Sequence, residues 1–93
     1  MDSQQPDASA RLVGAEVAFR ASLLRARETR QFIGQVDSAA AVYCRELRQQ
    51  GLPPERMLRD AKGIIHDTID GEDAYVAERA VESCIHHYYR DAD

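Results

Sequence analysis

Ninety-three residues, 44% hydrophobic and 30% charged, suffice for one domain with a modest core and little stability in reserve. No apolar run nears the roughly 20 residues that span a bilayer, and a formal charge of −4 disfavours sequence-independent nucleic-acid binding. Ala, Arg, Leu and Glu are plentiful while glycine, tryptophan and β-branched residues are sparse, which predicts an all-α fold, a small bundle of three to four helices.

Residues 1–7 are polar, contain Pro6, and read as a disordered lead-in to a single helical domain over residues 8–90, with 91–93 as a tail. The lead-in lacks the basic and apolar regions of a secretory signal, so the expected location is the cytoplasm. Asp7 or Ser9 is placed to cap the first helix. From Ala8 to Gln50 there is no proline, and Leu12, Phe19, Ala26, Ile33, Ala40 and Leu47 recur every seven residues. Ala15, Leu23, Val36 and Tyr43 join that row at helical spacing. One helix over this whole stretch would be roughly 60 Å long, more than the remaining chain can cover, and would need a second chain. The alternative breaks it near Gly34–Ser38, where glycine costs about 1 kcal/mol relative to alanine and Asp37 or Ser38 can cap a fresh start. The break is the reading adopted, because it lets a monomer fold back into four helices.

At Gly51-Leu52-Pro53-Pro54-Glu55-Arg56 the pattern stops. Glycine suits a left-handed C-cap after a last turn containing Arg48. Leu52 precedes proline and is pushed out of the helical region. A proline in the next first turn loses no hydrogen bond there, and Glu55 complements the helix dipole. The next helix, about Pro54 to Ile69, turns Met57, Leu58, Ala61, Ile64, Ile65 and Thr68 inward and Arg59, Lys62 and His66 outward. Asp70-Gly71 ends it, and Asp70 or Glu72 starts the last helix. That helix, about Glu72 to Tyr89, turns Ala77, Val81, Cys84, Ile85 and Tyr88 inward and Glu78, Arg79, Glu82 and His86 outward. The run from Arg45 through Ile65, chiefly its Gly-Leu-Pro-Pro-Glu-Arg corner, resembles small bacterial all-helical proteins. The resemblance covers about a quarter of the chain and implies no activity.

No pattern of catalytic, cofactor-binding or metal-ligating residues stands out. Glu82 and His86 share a helix face, but two ligands are too few for a structural zinc, and adjacent His86 and His87 point about 100° apart. Cys44 and Cys84 read as buried structural thiols. His66, beside Lys62 and Asp67, gives a phosphotransfer-like signalling bundle as one alternative, although the Lys62-Gly63 pair precedes the histidine where the phosphotransfer motif places it after. Arg45, Arg48, Arg56, Arg59 and Lys62 bracket the corner and offer a basic surface, while residues 63–93 set only Arg79 and Arg90 against eight carboxylates. A small DNA-binding regulator is the other alternative, weakened by Glu55, Asp60 and the two prolines at the turn. The basic residues, with Tyr89 and Arg90, fit better as a protein-interaction surface. The expectation is a non-enzymatic interaction or regulatory module of bacterial type that self-associates through helix faces as a homo-oligomer, without cofactor, membrane or nucleic acid.

Overall fold

The computed structural model describes residues 8–69 and 74–90, with Ala8, Ser9 and Arg90 described by backbone alone. The polar lead-in with Asp7, the Asp70–Glu72 turn and the C-terminal tail lie outside the described residues, and Ser9, the second residue of the first helix, is inside that helix and not its cap. Four α-helices follow one another: α1 (Ala8–Glu28), α2 (Ile33–Gln49), α3 (Pro54–Ile69) and α4 (Ala74–Arg90). No strand occurs among the described residues.

Helix α1 ends one turn earlier than the sequence suggests. Thr29 is extended (φ −152°, ψ 129°), and Arg30–Phe32 form a single 3₁₀ turn that feeds α2. A continuous helix to Gln50 is therefore excluded, and the break is not at Gly34–Ser38. Gly34 sits in the first turn of α2, where the N–H groups lack intrahelical acceptors in any case. Asp37 and Ser38 cap nothing. The Asp37 carboxylate instead accepts a hydrogen bond from Ser83 Oγ at 2.8 Å on α4. The reversal has no glycine, proline or side-chain cap, so packing holds it: Leu23 and Ala26 on α1 and Val36 and Ala40 on α2 are all fully buried. Arg11 with Glu46 (3.4 Å) and Arg25 with Gln35 (3.4 Å) mark the two ends of this antiparallel pair.

The corner after α2 follows local chemistry. Gly51 has φ 84°. Its N–H donates to the Arg48 carbonyl (3.0 Å) and the Leu52 N–H to the Leu47 carbonyl (3.2 Å), the paired bonds of a Schellman cap. The Pro53 carbonyl accepts the Met57 N–H at 2.9 Å, which makes Pro54 the first residue of α3. Tyr88 then anchors the corner to α4, its hydroxyl donating to the Leu52 carbonyl at 2.6 Å.

Around the bundle the helices succeed one another as α1, α2, α4, α3, so that α2 and α3, consecutive in sequence, lie across a diagonal. The core between them holds Phe19 stacked on Tyr43 (centroids 5.3 Å apart), with Leu23, Leu47, Met57, Ile69 and Val76 fully buried. Helix α3 buries Met57, Ala61, Ile64, Ile65 and Ile69, while Leu58 and Thr68 are half-buried. Helix α4 is turned from the expected orientation. Val76, Ala80, Ser83, Cys84 and Tyr88 are buried, Ala77 and Val81 are half-buried, and Ile85 is exposed. Ser83 reaches Asp37, a bond that needs the side of α4 carrying Ser83 to face α2, and the same rotation buries Val76 and Ala80 fully; Tyr88, inward in either orientation, reaches Leu52. No described buried side-chain polar atom lacks a hydrogen bond.

Candidate functional site

Successive residues of an α-helix advance by about 100°, and on α1 this gives two opposed apolar faces. Leu12, Ala15, Phe19, Leu23 and Ala26 form the inner one, all buried but Leu12, which is half-buried. On the far side lie Ala10, Val13, Gly14, Val17, Ala18, Ala21 and Leu24, all exposed. Val13 and Val17 are 60% and 61% exposed, and Leu24 is 39% exposed. With apolar residues on both sides, α1 has almost no amphipathic asymmetry, whereas α2, α3 and α4 each have a clear polar side.

The two apolar faces are separated by narrow polar edges. On one edge Arg20 bonds Glu16 (3.2 Å), Asp67 (2.7 Å) and Thr68 (3.2 Å), tying α1 to α3. The Asp67 bond chiefly holds the Arg20 pKa above its ordinary value. On the other edge stand Arg11 and Arg25. Beside the outer face, an open groove of about 660 Å³ runs between α1 and α2. Ala18, Ala21 and Ser22 line one wall, and Gly34, Ser38 and Val42 the other. Val42 is itself exposed, so the apolar surface continues from α1 onto α2. Small side chains predominate on this face and suit it to close helix packing, with Arg25 the one charged residue that lines the groove; it offers no convergent acid–base or ligand groups.

The residues expected around the corner fall on several surfaces. Arg45 and Arg48 border a shallow depression with Gln49 on α2. Arg59 lies in a cleft between α1 and α3 with Glu16, Arg20, Asp60 and Asp67, where the charges are mixed. Arg56 faces Asp60 at 3.7 Å, and Lys62 and His66 are exposed along α3. Tyr89 is 55% exposed and sits edge-on to Tyr88, beside Pro54, Leu58 and Ile85. The side chain of Arg90 lies outside the described residues.

Two further polar or reactive groupings join the helices, one half-buried and one in the core. Asp37 faces Ser83 (2.8 Å) and His87 Nε2 (3.3 Å), and its carboxyl is held below the usual carboxylate range, first by the Ser83 hydrogen bond and then by His87, against the opposing effect of burial. Ser83 donates to the aspartate rather than to the histidine, so this is a link between α2 and α4 and not an activated hydroxyl. Cys44 and Cys84 are both fully buried and meet in the core, where the Cys44 thiol also approaches the Met57 sulfur at 3.8 Å. Contact with Cys44 and burial push the Cys84 thiol far up, which suppresses the thiolate that redox or nucleophilic chemistry needs. Among the described residues no group of three or more His, Cys, Asp and Glu converges as a metal site, and no helix is long and apolar enough to cross a membrane.

The outer face of α1 is the feature that the seven-residue row concealed. Its signal was present in the sequence: Ala10, Gly14, Val17, Ala21 and Leu24 repeat at alternating steps of four and three, interleaved with the row that builds the core. Comparison of the chain with protein-family models, curated proteins and solved structures finds no match.

Proposed function

We propose that this chain is a non-enzymatic protein-interaction module that works through its helix faces and self-associates. The observation that supports this reading is the uncovered apolar face of α1, extended by Val42 on α2. Isolated exposed apolar residues are ordinary on any protein. A contiguous, charge-free row along three turns of one helix is not, and such patches mark surfaces that another protein covers. Burying each valine and leucine of the row would contribute up to about 1.5–3 kcal/mol in proportion to the area removed from water. Exposed Tyr89, next to Pro54 and Ile85, is a second and smaller apolar contact surface.

Light scattering and sedimentation velocity over a wide concentration range test the reading. The expected result is a mass above that of the 10.4 kDa chain that falls on dilution and falls in Val17→Glu. A monomeric mass at every concentration, together with no partner whose binding Val17→Glu weakens, would sink it.

A further inference from the structure

We infer that the outer face of α1 is covered by α1 of a second copy of this chain, running antiparallel, with Val17 on the two-fold axis. The inference rests on the interaction reading above and specifies its partner and geometry. Ala10, Gly14, Val17, Ala21 and Leu24 are spaced as the seam of a two-stranded helical pair, and all are exposed. A two-fold interface must be complementary to itself, and this seam is so in only one direction. In the antiparallel arrangement Ala10 lies opposite Leu24 of the second copy, Gly14 opposite Ala21, and Val17 opposite its own counterpart. Small then meets large at both ends, and the small Gly14–Ala21 layers let the backbones approach on either side of the valines.

The parallel alternative stacks like on like. Leu24 meets Leu24 and Gly14 meets Gly14, so the wide layer and the narrow layers fall at different points along the seam and the helices cannot keep one spacing along it. The next seam position is Glu28, and parallel helices would set the two glutamates against each other, whereas antiparallel helices carry them to opposite ends. Antiparallel pairing also brings the positive end of each helix dipole beside the negative end of the other. Gly14 is compatible with this arrangement. Apart from its own helix backbone, no described atom lies within 4 Å of a Cβ built there, so a closely packed second helix has room to approach, at the cost of about 1 kcal/mol that glycine carries in a helix. The arrangement has one kind of unfavourable contact, made twice by the two-fold symmetry, Arg11 beside Arg25 of the second copy. Glu46, 3.4 Å from Arg11, offsets it.

From Ala10 to Leu24 the seam is about 21 Å long on a helix about 10 Å wide. Even with the neighbouring groove, that is below the roughly 800 Å² per partner of a standard interface, so the pair is reversible and best observed at high concentration. Pulsed dipolar spectroscopy on Arg27→Cys carrying a nitroxide, exposed and about 100° away from the seam, reads the geometry directly, because Cys44 and Cys84 are fully buried and leave the introduced thiol to react. Ten residues from the axis on each copy place the two Cα atoms about 30 Å apart, and adding Val17→Glu should abolish that distance without changing the far-ultraviolet dichroism or the melting temperature of the dilute protein. A distance near 10 Å, meaning parallel helices, would overturn this geometry and leave the interaction reading standing. A distance insensitive to Val17→Glu would do the same, moving the contact to another face. A monomer at millimolar concentration with no dipolar coupling would overturn both this geometry and self-association.

Discussion

Phe19 and Val17 lie two residues apart on α1, one with no exposed surface and the other 61% exposed, although both side chains are apolar. Around Phe19 the chain supplies Tyr43 in stacked contact and the rest of the core. Around Val17 the described helices supply no comparable cover, because α2, α3 and α4 gather on the other side of α1. Hydrophobicity sets what burial would contribute, and the disposition of the other helices decides whether burial occurs. A helix with apolar faces on both sides has satisfied only one of them in the monomer, and the remaining face is available for another molecule.

Substitutions on the two faces should separate folding from association. Phe19→Ala is the largest expected effect, a loss of about 3–5 kcal/mol in urea unfolding. A loss below about 1 kcal/mol would dissolve the distinction between the faces. Gly14→Ala, on the outer face, should raise the stability of the dilute monomer by about 0.5–1 kcal/mol, since beyond its own helix backbone the new methyl meets no described atom within 4 Å. A decrease in melting temperature would show that something within the protomer packs there. Asp37 tests a half-buried polar link away from both faces. Its pKa is depressed in the folded state, so its contribution is present above the ordinary aspartate range and is lost as pH falls below about 4. Ser83→Ala removes the main cause of the depression and should flatten that acid limb of the stability profile; an unchanged limb would show that the link is not engaged in solution. Val17→Glu should have the smallest effect on folding, within about 0.5 kcal/mol as for other exposed positions, while reducing self-association. Equal losses in folding and association would erase the contrast with Phe19.

Much of the fold was legible in the pattern of residues, and the interaction face less so. The seven-residue row correctly identified Phe19, Ala26, Ala40 and Leu47 as core, yet a single period drew attention to one side of α1. The second period, through Gly14, Val17 and Ala21, carries no mark of its exposure, because small and apolar residues there are equally compatible with a helix of any environment. The arginines near the corner were identified as a group from their closeness in sequence. In space Arg45 and Arg48 border one depression and Arg59 another cleft with Asp60 and Asp67, because α2 and α3 lie across the bundle diagonal.

The two helix joints divide what local sequence determines from what packing decides. At the corner, Gly51 can adopt φ 84° without steric cost, Pro54 begins a helix without losing a hydrogen bond, and Schellman bonds follow within a few residues. Those interactions are short-range, so the sequence by itself determined that joint and the α3 boundaries, Pro54–Ile69. At Thr29–Phe32 no residue demands a turn, and the nearby glycine lies inside α2. That reversal, like the rotation of α4 and the uncovered side of α1, depends on contacts between residues far apart in the chain. Only the tertiary structure decided these, because the free energy that selects them comes from burying Leu23, Val36 and Cys84 together and from joining Ser83 to Asp37 and Tyr88 to Leu52.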